Sequence, residues 1–195
     1  MPAHDPKANL KEYLQGGRDT LLWKLSGLSE YEIRRPLVPT GTNLLGLVKH
    51  KAHTEFVYFG DTFERPSGEP LTWSQSAEPN ADMWATVNES REDIIELYRR
   101  AWAHSDATID ALALDSIGYV PHWPAGRNEV TLHEVLVHVI VDTQRHAGHA
   151  DIIRELIDGV AGLLEGNSNM PSTDEAWWAR YRARLQRVAE EAGRG

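Results

Sequence analysis

The 195-residue chain contains no cysteine. That absence excludes disulfides, Cys-ligated zinc, Cys-ligated iron–sulfur clusters and a protein-borne thiol nucleophile. Any thiol chemistry must therefore use a thiol that arrives with the substrate. Positive charge is also scarce. Twenty Lys and Arg face 29 Asp and Glu, for a formal net charge of −9. No basic patch or RNA-binding motif offsets it, which argues against nucleic acid as a partner. Long apolar runs are missing too. The stretch Val135 to Val141 is too short and interrupted to span a bilayer. The N-terminal MPAHDPKANLKEY lacks the basic-then-apolar order of a secretion signal. The expectation is a cytoplasmic protein with no membrane partner.

Sustained strand alternation is absent as well, and what remains is helical periodicity. The length and the 41% hydrophobic content suit one domain over residues 1–195. Apolar positions predict a first helix over Pro6 to Ser26, with Gly16-Gly17 as a weak point or kink. A Pro/Gly connector follows over Arg34 to Thr42. A second helix is expected from Asn43 to about Phe59, capped by Thr42 or Asn43. A long loop runs from Gly60 to Asn80, broken by Pro66, Pro70 and Pro79. A third helix is expected over Met83 to Ala113, and another loop over SIGYVPHWPAGRNEV. The fourth helix opens on the capping box Thr131/Glu134 and runs to about Leu156. A short fifth helix near Ser172 carries a second such box, Ser172/Glu175, and Trp177, Trp178, Tyr181 and Leu185 can dock on the bundle. The fold class is all-α, a four-helix bundle with an additional short C-terminal helix.

The fourth helix concentrates the chemistry. Relative to His138, Asp142 lies about 40° round the helix, His146 about 80° and His149 about 20°. Four metal-capable side chains thus share one stripe, whose apolar flanks suggest burial. Imidazoles and a carboxylate gathered on a buried stripe are best explained by a metal ion. One helix rarely wraps an ion, so a ligand is expected from the second helix, where His50 is followed by His53 and Glu55. The alternative is a set of hydrogen-bonded core histidines. That alternative is preferred for His53 alone, and Glu55 and Arg154 read better as ion-pair partners. His4, His104 and His122 fall on surface or loops and receive no role; His133 is expected to be solvated. Among Trp73, Trp84, Trp123, Trp177 and Trp178, the loop residue Trp123 is the best candidate for a substrate pocket.

The segments GTNLLGLVKHKAHTEFVYFG and LHEVLVHVIVDTQRHAGHADIIRELIDG resemble the DinB/YfiT-like superfamily, particularly its actinobacterial members. The resemblance runs from the Pro/Gly connector to the WWARYRARL tail. It implies an up-down-down-up four-helix bundle, often a homodimer, with a divalent metal near one end. Carried over by motif, the ligands are His50, Asp142 and His146. Many relatives have His, and others Glu, in place of Asp142; His149 is the substitute ligand if the shorter Asp falls short, and otherwise a group that supports the ligands from behind. Characterised relatives include mycothiol- and bacillithiol-dependent transferases and isomerases. The resemblance therefore implies a metal-dependent S-transferase that joins a low-molecular-weight thiol to a small electrophile. The donor set suits zinc, with nickel or iron as alternatives. No catalytic side chain is assigned. The competing readings are a non-catalytic metal-containing binding or stress-associated protein, and a purely structural bundle.

Overall fold

The computed structural model describes residues 5–71, 76 and 78–194. His4 and Trp73 lie outside the described residues. The chain divides into two compact units, residues 1–160 and 161–195.

In the first unit, α1 (Pro6–Trp23) starts where the Asp5 carboxylate accepts from the amides of Lys7 and Ala8, with Pro6 in the first turn. Proline suits that position because its missing N–H would be unpaired there anyway. The glycine pair does not interrupt α1, which ends three residues earlier than expected. A five-residue helix, α2 (Glu30–Arg34), opens on a Ser29/Glu32 capping box between the expected first helix and the Pro/Gly connector. Helix α3 (Leu44–Glu55) is capped by Asn43. It passes into a π-helical turn, Phe56–Gly60, and a 3₁₀ turn, Asp61–Phe63.

Helix α4 (Arg91–Ala111) begins eight residues later than periodicity suggests, at a Ser90/Asp93 capping box. The physical reason is competition for carbonyls. Arg34 donates to the carbonyls of Ala85, Thr86 and Glu89, and Lys49 donates to that of Trp84. Residues 83–89 are therefore tied down by side chains and stay out of the helix. The expected loop before α5 instead contains a hairpin, β1 (Ile117–Tyr119) and β2 (Glu129–Thr131), with Gly118 opposite Val130. Three residues per strand are too few to show alternation in the sequence. Helix α5 (Leu132–Asp158) carries the expected Thr131/Glu134 box.

Helix α3 packs between α4 and α5, and α1 packs on α5. One core layer joins Leu21, Ile33, Leu45, Val48, Ile94, Tyr98 and Ile153. A second joins Leu14, Phe59, Ile109, Val120, Leu136 and Val139 near the hairpin. Between helices, buried Arg18 of α1 grips Glu55 of α3 through two bonds, 3.0 and 2.6 Å, and Asp106 of α4 at 3.0 Å. Glu55 is thus an ion-pair partner, as is Arg154, which holds Asp158 and the carbonyls of Lys24 and Ser26.

The second unit is built around α6 (Glu175–Ala192), 18 residues long rather than short. Its cap is Asp174, not the expected Ser172, whose hydroxyl accepts from the Asp174 amide instead. Trp177 stacks on Tyr181 with ring centroids 5.1 Å apart, and no residue of α6 is buried.

Candidate metal centre

The packing of α3 on α5 brings His50 to His146, with ring centroids 4.9 Å apart. One ligand atom each from His50, Asp142 and His146 lies within 4.8 Å of the others. His149 stands beside His146, ring to ring at 5.4 Å, but outside that set. The stripe itself is less buried than its flanks suggest. His138 and His149 are exposed, and only Asp142 and His146 are half-buried. Two of the stripe residues, His138 and Asp142, line a cleft instead of a core seam.

The cleft holds about 440 Å³ and is lined by His50, Thr54, Tyr58, Asp82, His138 and Asp142, among others. His53 also lines it, and its Nδ1 is buried without a hydrogen-bond partner among the described residues. Trp123 does not line this cleft. It packs edge-on against His138 at 5.3 Å and faces an adjoining groove with His133 and Val137. His122, an exposed loop residue as expected, nevertheless lines the cleft.

Three residues that sequence reasoning missed control the triad. The first is Asp82, whose Oδ2 lies 2.6 Å from His50 Nδ1. This hydrogen bond, against opposing burial, holds the Asp82 carboxyl below its ordinary range. An ionised carboxylate can only accept, so His50 Nδ1 donates, and in the neutral imidazole Nε2 then carries the lone pair. The nearby Thr54 hydroxyl, 3.4 Å from Nε2, donates to the His50 carbonyl at 2.9 Å, so its proton does not occupy that lone pair. A carboxylate fixing the tautomer of a histidine is the usual support for a metal ligand.

The second is Lys51, fully buried, with Nζ 2.6 Å from Asp142 Oδ2. That contact turns the other oxygen, Oδ1, toward His146 Nε2 at 3.5 Å. Burial pushes the Asp142 carboxyl up, but His146 and Lys51 outweigh it and hold the group well below the usual carboxylate range. A sequence signal for Lys51 existed. Leu44, Leu47, Val48, Lys51, Ala52 and Glu55 follow the three-and-four spacing of one buried helical face.

The third is Gly46, which fixes the Asp82 loop. A Cβ at Gly46 would stand 1.8 Å from the Met83 carbonyl oxygen. Only glycine lets this backbone approach α3 so closely. The same oxygen accepts from Asn43 Nδ2 at 3.4 Å, and Lys49 pairs with Glu89 at 2.8 Å. No periodic pattern marks Asp82, because its position is set by these tertiary contacts.

The donor set fits a divalent cation. Ligands 2.0–2.2 Å from a tetrahedral ion stand roughly 3.4 Å apart. The Asp142–His146 pair, at 3.5 Å, is already at that spacing. The triad's 4.8 Å limit leaves His50 about 1.4 Å to close at most. His146 Nε2, beside Asp142 Oδ1, is the nitrogen on the triad's side, while its Nδ1 is buried with no hydrogen-bond partner among the described residues.

A family model described as mycothiol S-transferase matches residues 9–159. Among solved structures, the crystal structure of a conserved protein from Enterococcus faecalis is similar, with a TM-score of 0.64. The likeness covers 81% of this chain and 100% of that one at 16% identity, and so concerns the fold alone. A search of curated proteins finds no match. Matched over well beyond half of its length, the chain belongs to the mycothiol S-transferase family of DinB/YfiT-like helical bundles.

Proposed function

We propose that this protein is a metal-dependent S-transferase that joins a low-molecular-weight thiol of the mycothiol type to a small electrophile. The observation that carries the reading is the convergence of His50, Asp142 and His146 from two helices, with His50 and Asp142 lining a cleft, in a chain without cysteine. The three residues are the ligands, zinc is the ion the donor set suits best, and His149 is the alternative on α5. When bound, such an ion lowers the pKa of a coordinated thiol and so supplies the nucleophile at neutral pH.

The chain's own residues supply the rest. Asp82 fixes the His50 tautomer and ring direction, and Lys51 presents one oxygen of Asp142. The cleft of about 440 Å³ accommodates the reacting ends of two small molecules. Trp123 contributes to substrate binding by bracing the wall formed by Tyr58 and His138, with rings 6.1 and 5.3 Å away. A cytoplasmic location accompanies this reading, because small thiols stay reduced there. So does a homodimer, for which the exposed α5 residues Val141, Ile152 and Leu156 offer an apolar face.

The test is thiol consumption by zinc-loaded protein with mycothiol, bacillithiol or glutathione and a panel of electrophiles. Turnover that disappears in His50→Ala and His146→Ala supports the reading. If none of these thiols is consumed across the panel, a non-catalytic metal-binding protein is the better description.

A further inference from the structure

A second group of side chains lines the same cleft without belonging to the triad: Tyr58, His122 and His138. Tyr58 sits in the π-helical turn Phe56–Gly60 that closes α3. Such turns add a residue to the helical repeat, redirect side chains, and are frequent at functional sites. The Tyr58 ring is enclosed by His138 at 4.8 Å, His122 at 5.7 Å and Trp123 at 6.1 Å. Its hydroxyl lies 3.4 Å from His122 Nε2, at the outer limit of a hydrogen bond.

His122 and Trp123 reach this place because of the β1–β2 hairpin. A Cβ at Gly118 would stand 2.6 Å from the Thr62 carbonyl oxygen and 2.7 Å from the Phe63 ring, so β1 lies directly on the 3₁₀ turn. Thr62 Oγ1 in turn donates to the Val57 carbonyl at 3.1 Å, inside the π turn. The hairpin, the 3₁₀ turn and the π turn thus act together to bring one phenol and one imidazole to the cleft wall. Burial raises the Tyr58 phenol above its ordinary value, so it keeps its proton at neutral pH. A protonated phenol with an imidazole at its oxygen has the parts of a general acid that can be recharged.

We propose that Tyr58 is the proton donor to the electrophile, recharged through His122. The electrophile is then one whose reaction places negative charge on oxygen: an epoxide or a carbonyl-conjugated alkene. This rests on the thiol-transfer reading above and names its second substrate. In the epoxide case the thiol sulfur, its proton lost to solvent, forms the S–C bond as the C–O bond breaks. The ring oxygen takes the Tyr58 proton, and Tyr58 regains one from solvent through His122. The net change is addition of R–S and H across the C–O bond, with no oxidant or reductant.

The test compares an aryl epoxide with an alkyl chloride, whose chloride leaves without a proton, using zinc-loaded wild type, Tyr58→Phe and His122→Asn. Removing a general acid costs typically about 10²-fold or more. In Tyr58→Phe, kcat for the epoxide should fall by about that factor, and the epoxide-to-chloride rate ratio by at least about tenfold. His122→Asn should lower the same ratio less. A further readout needs no turnover: 4-nitrophenolate, a stand-in for the developing oxyanion, should bind Tyr58→Phe about tenfold more weakly at equal zinc content. Wild-type turnover of the chloride but not the epoxide overturns this inference and leaves thiol transfer standing. An unchanged ratio in Tyr58→Phe does the same. Turnover of neither substrate overturns both.

Discussion

Gly46→Ala should weaken metal binding although residue 46 touches neither the ion nor a ligand side chain. The added Cβ would lie 1.8 Å from the Met83 carbonyl oxygen and 2.5 Å from its carbon, whereas real Cβ contacts essentially never fall under 3.0 Å. Backbone, not a flexible side-chain tip, is what stands in the way, so the loop must retreat by more than 1 Å. Asp82 is the preceding residue, and its bond to His50 is 2.6 Å long. A retreat of that size stretches the contact to about 3.6 Å or more, which is no longer a hydrogen bond. Loss of such a carboxylate–histidine contact typically costs about 10–100-fold in metal affinity. Overpacking of this kind costs about 1–3 kcal/mol of stability. Zinc titration calorimetry of wild type, Gly46→Ala, Asp82→Asn and the double variant checks the chain of reasoning. If Gly46 acts through Asp82, each single variant loses affinity and the double variant loses little more than Asp82→Asn alone. Wild-type affinity in Gly46→Ala, or additive losses in the double variant, would refute the coupling.

Two further outcomes follow from the charge pairs. Arg18→Ala leaves Glu55 buried without its bidentate partner, so chemical denaturation should show a loss of about 3–5 kcal/mol. Asp158 is pushed up by burial, but the hydrogen bonds from Arg154 and the Val160 amide and the Arg154 charge together outweigh it and hold its carboxyl below the ordinary 3.8. Its contribution to stability is therefore complete above that value and lost as pH falls through the lower folded-state value. Asp158→Asn should accordingly show a shallower loss of stability in acid denaturation than wild type, and identical acid limbs would count against the pairing.

The helices that carry the triad were legible because their information is local. Apolar spacing marks α3 and α5, Asn43 and the Thr131/Glu134 box mark their starts, and the spacing of Asp142 and His146 sets one face of the site. What supports the triad was not legible, because it depends on contacts far apart in the chain. Asp82 reaches His50 across 32 residues, and Lys51 reaches Asp142 across 91. The start of α4 was misplaced for the same reason: Arg34 and Lys49 take the carbonyls that would extend it. The hairpin escaped notice because its strands are three residues long, and with it went His122, which only the Gly118 contact brings to Tyr58. Lys51 is the exception, since its place on the same apolar face of α3 as Glu55, which does read as an ion-pair partner, marks it as a buried partner too.

The central claim, that His50, Asp142 and His146 hold one divalent ion, is tested most directly by metal analysis of zinc-loaded, dialysed protein. Wild type should retain about one ion per chain, at ligand distances of roughly 2.0–2.2 Å. His146→Ala should lose most of it, Asp142→Ala should lose more than His149→Ala, and His149→Ala should stay near wild type. Full occupancy in His146→Ala would contradict the account, and loss in His149→Ala but not in Asp142→Ala would move the α5 ligand from Asp142 to His149.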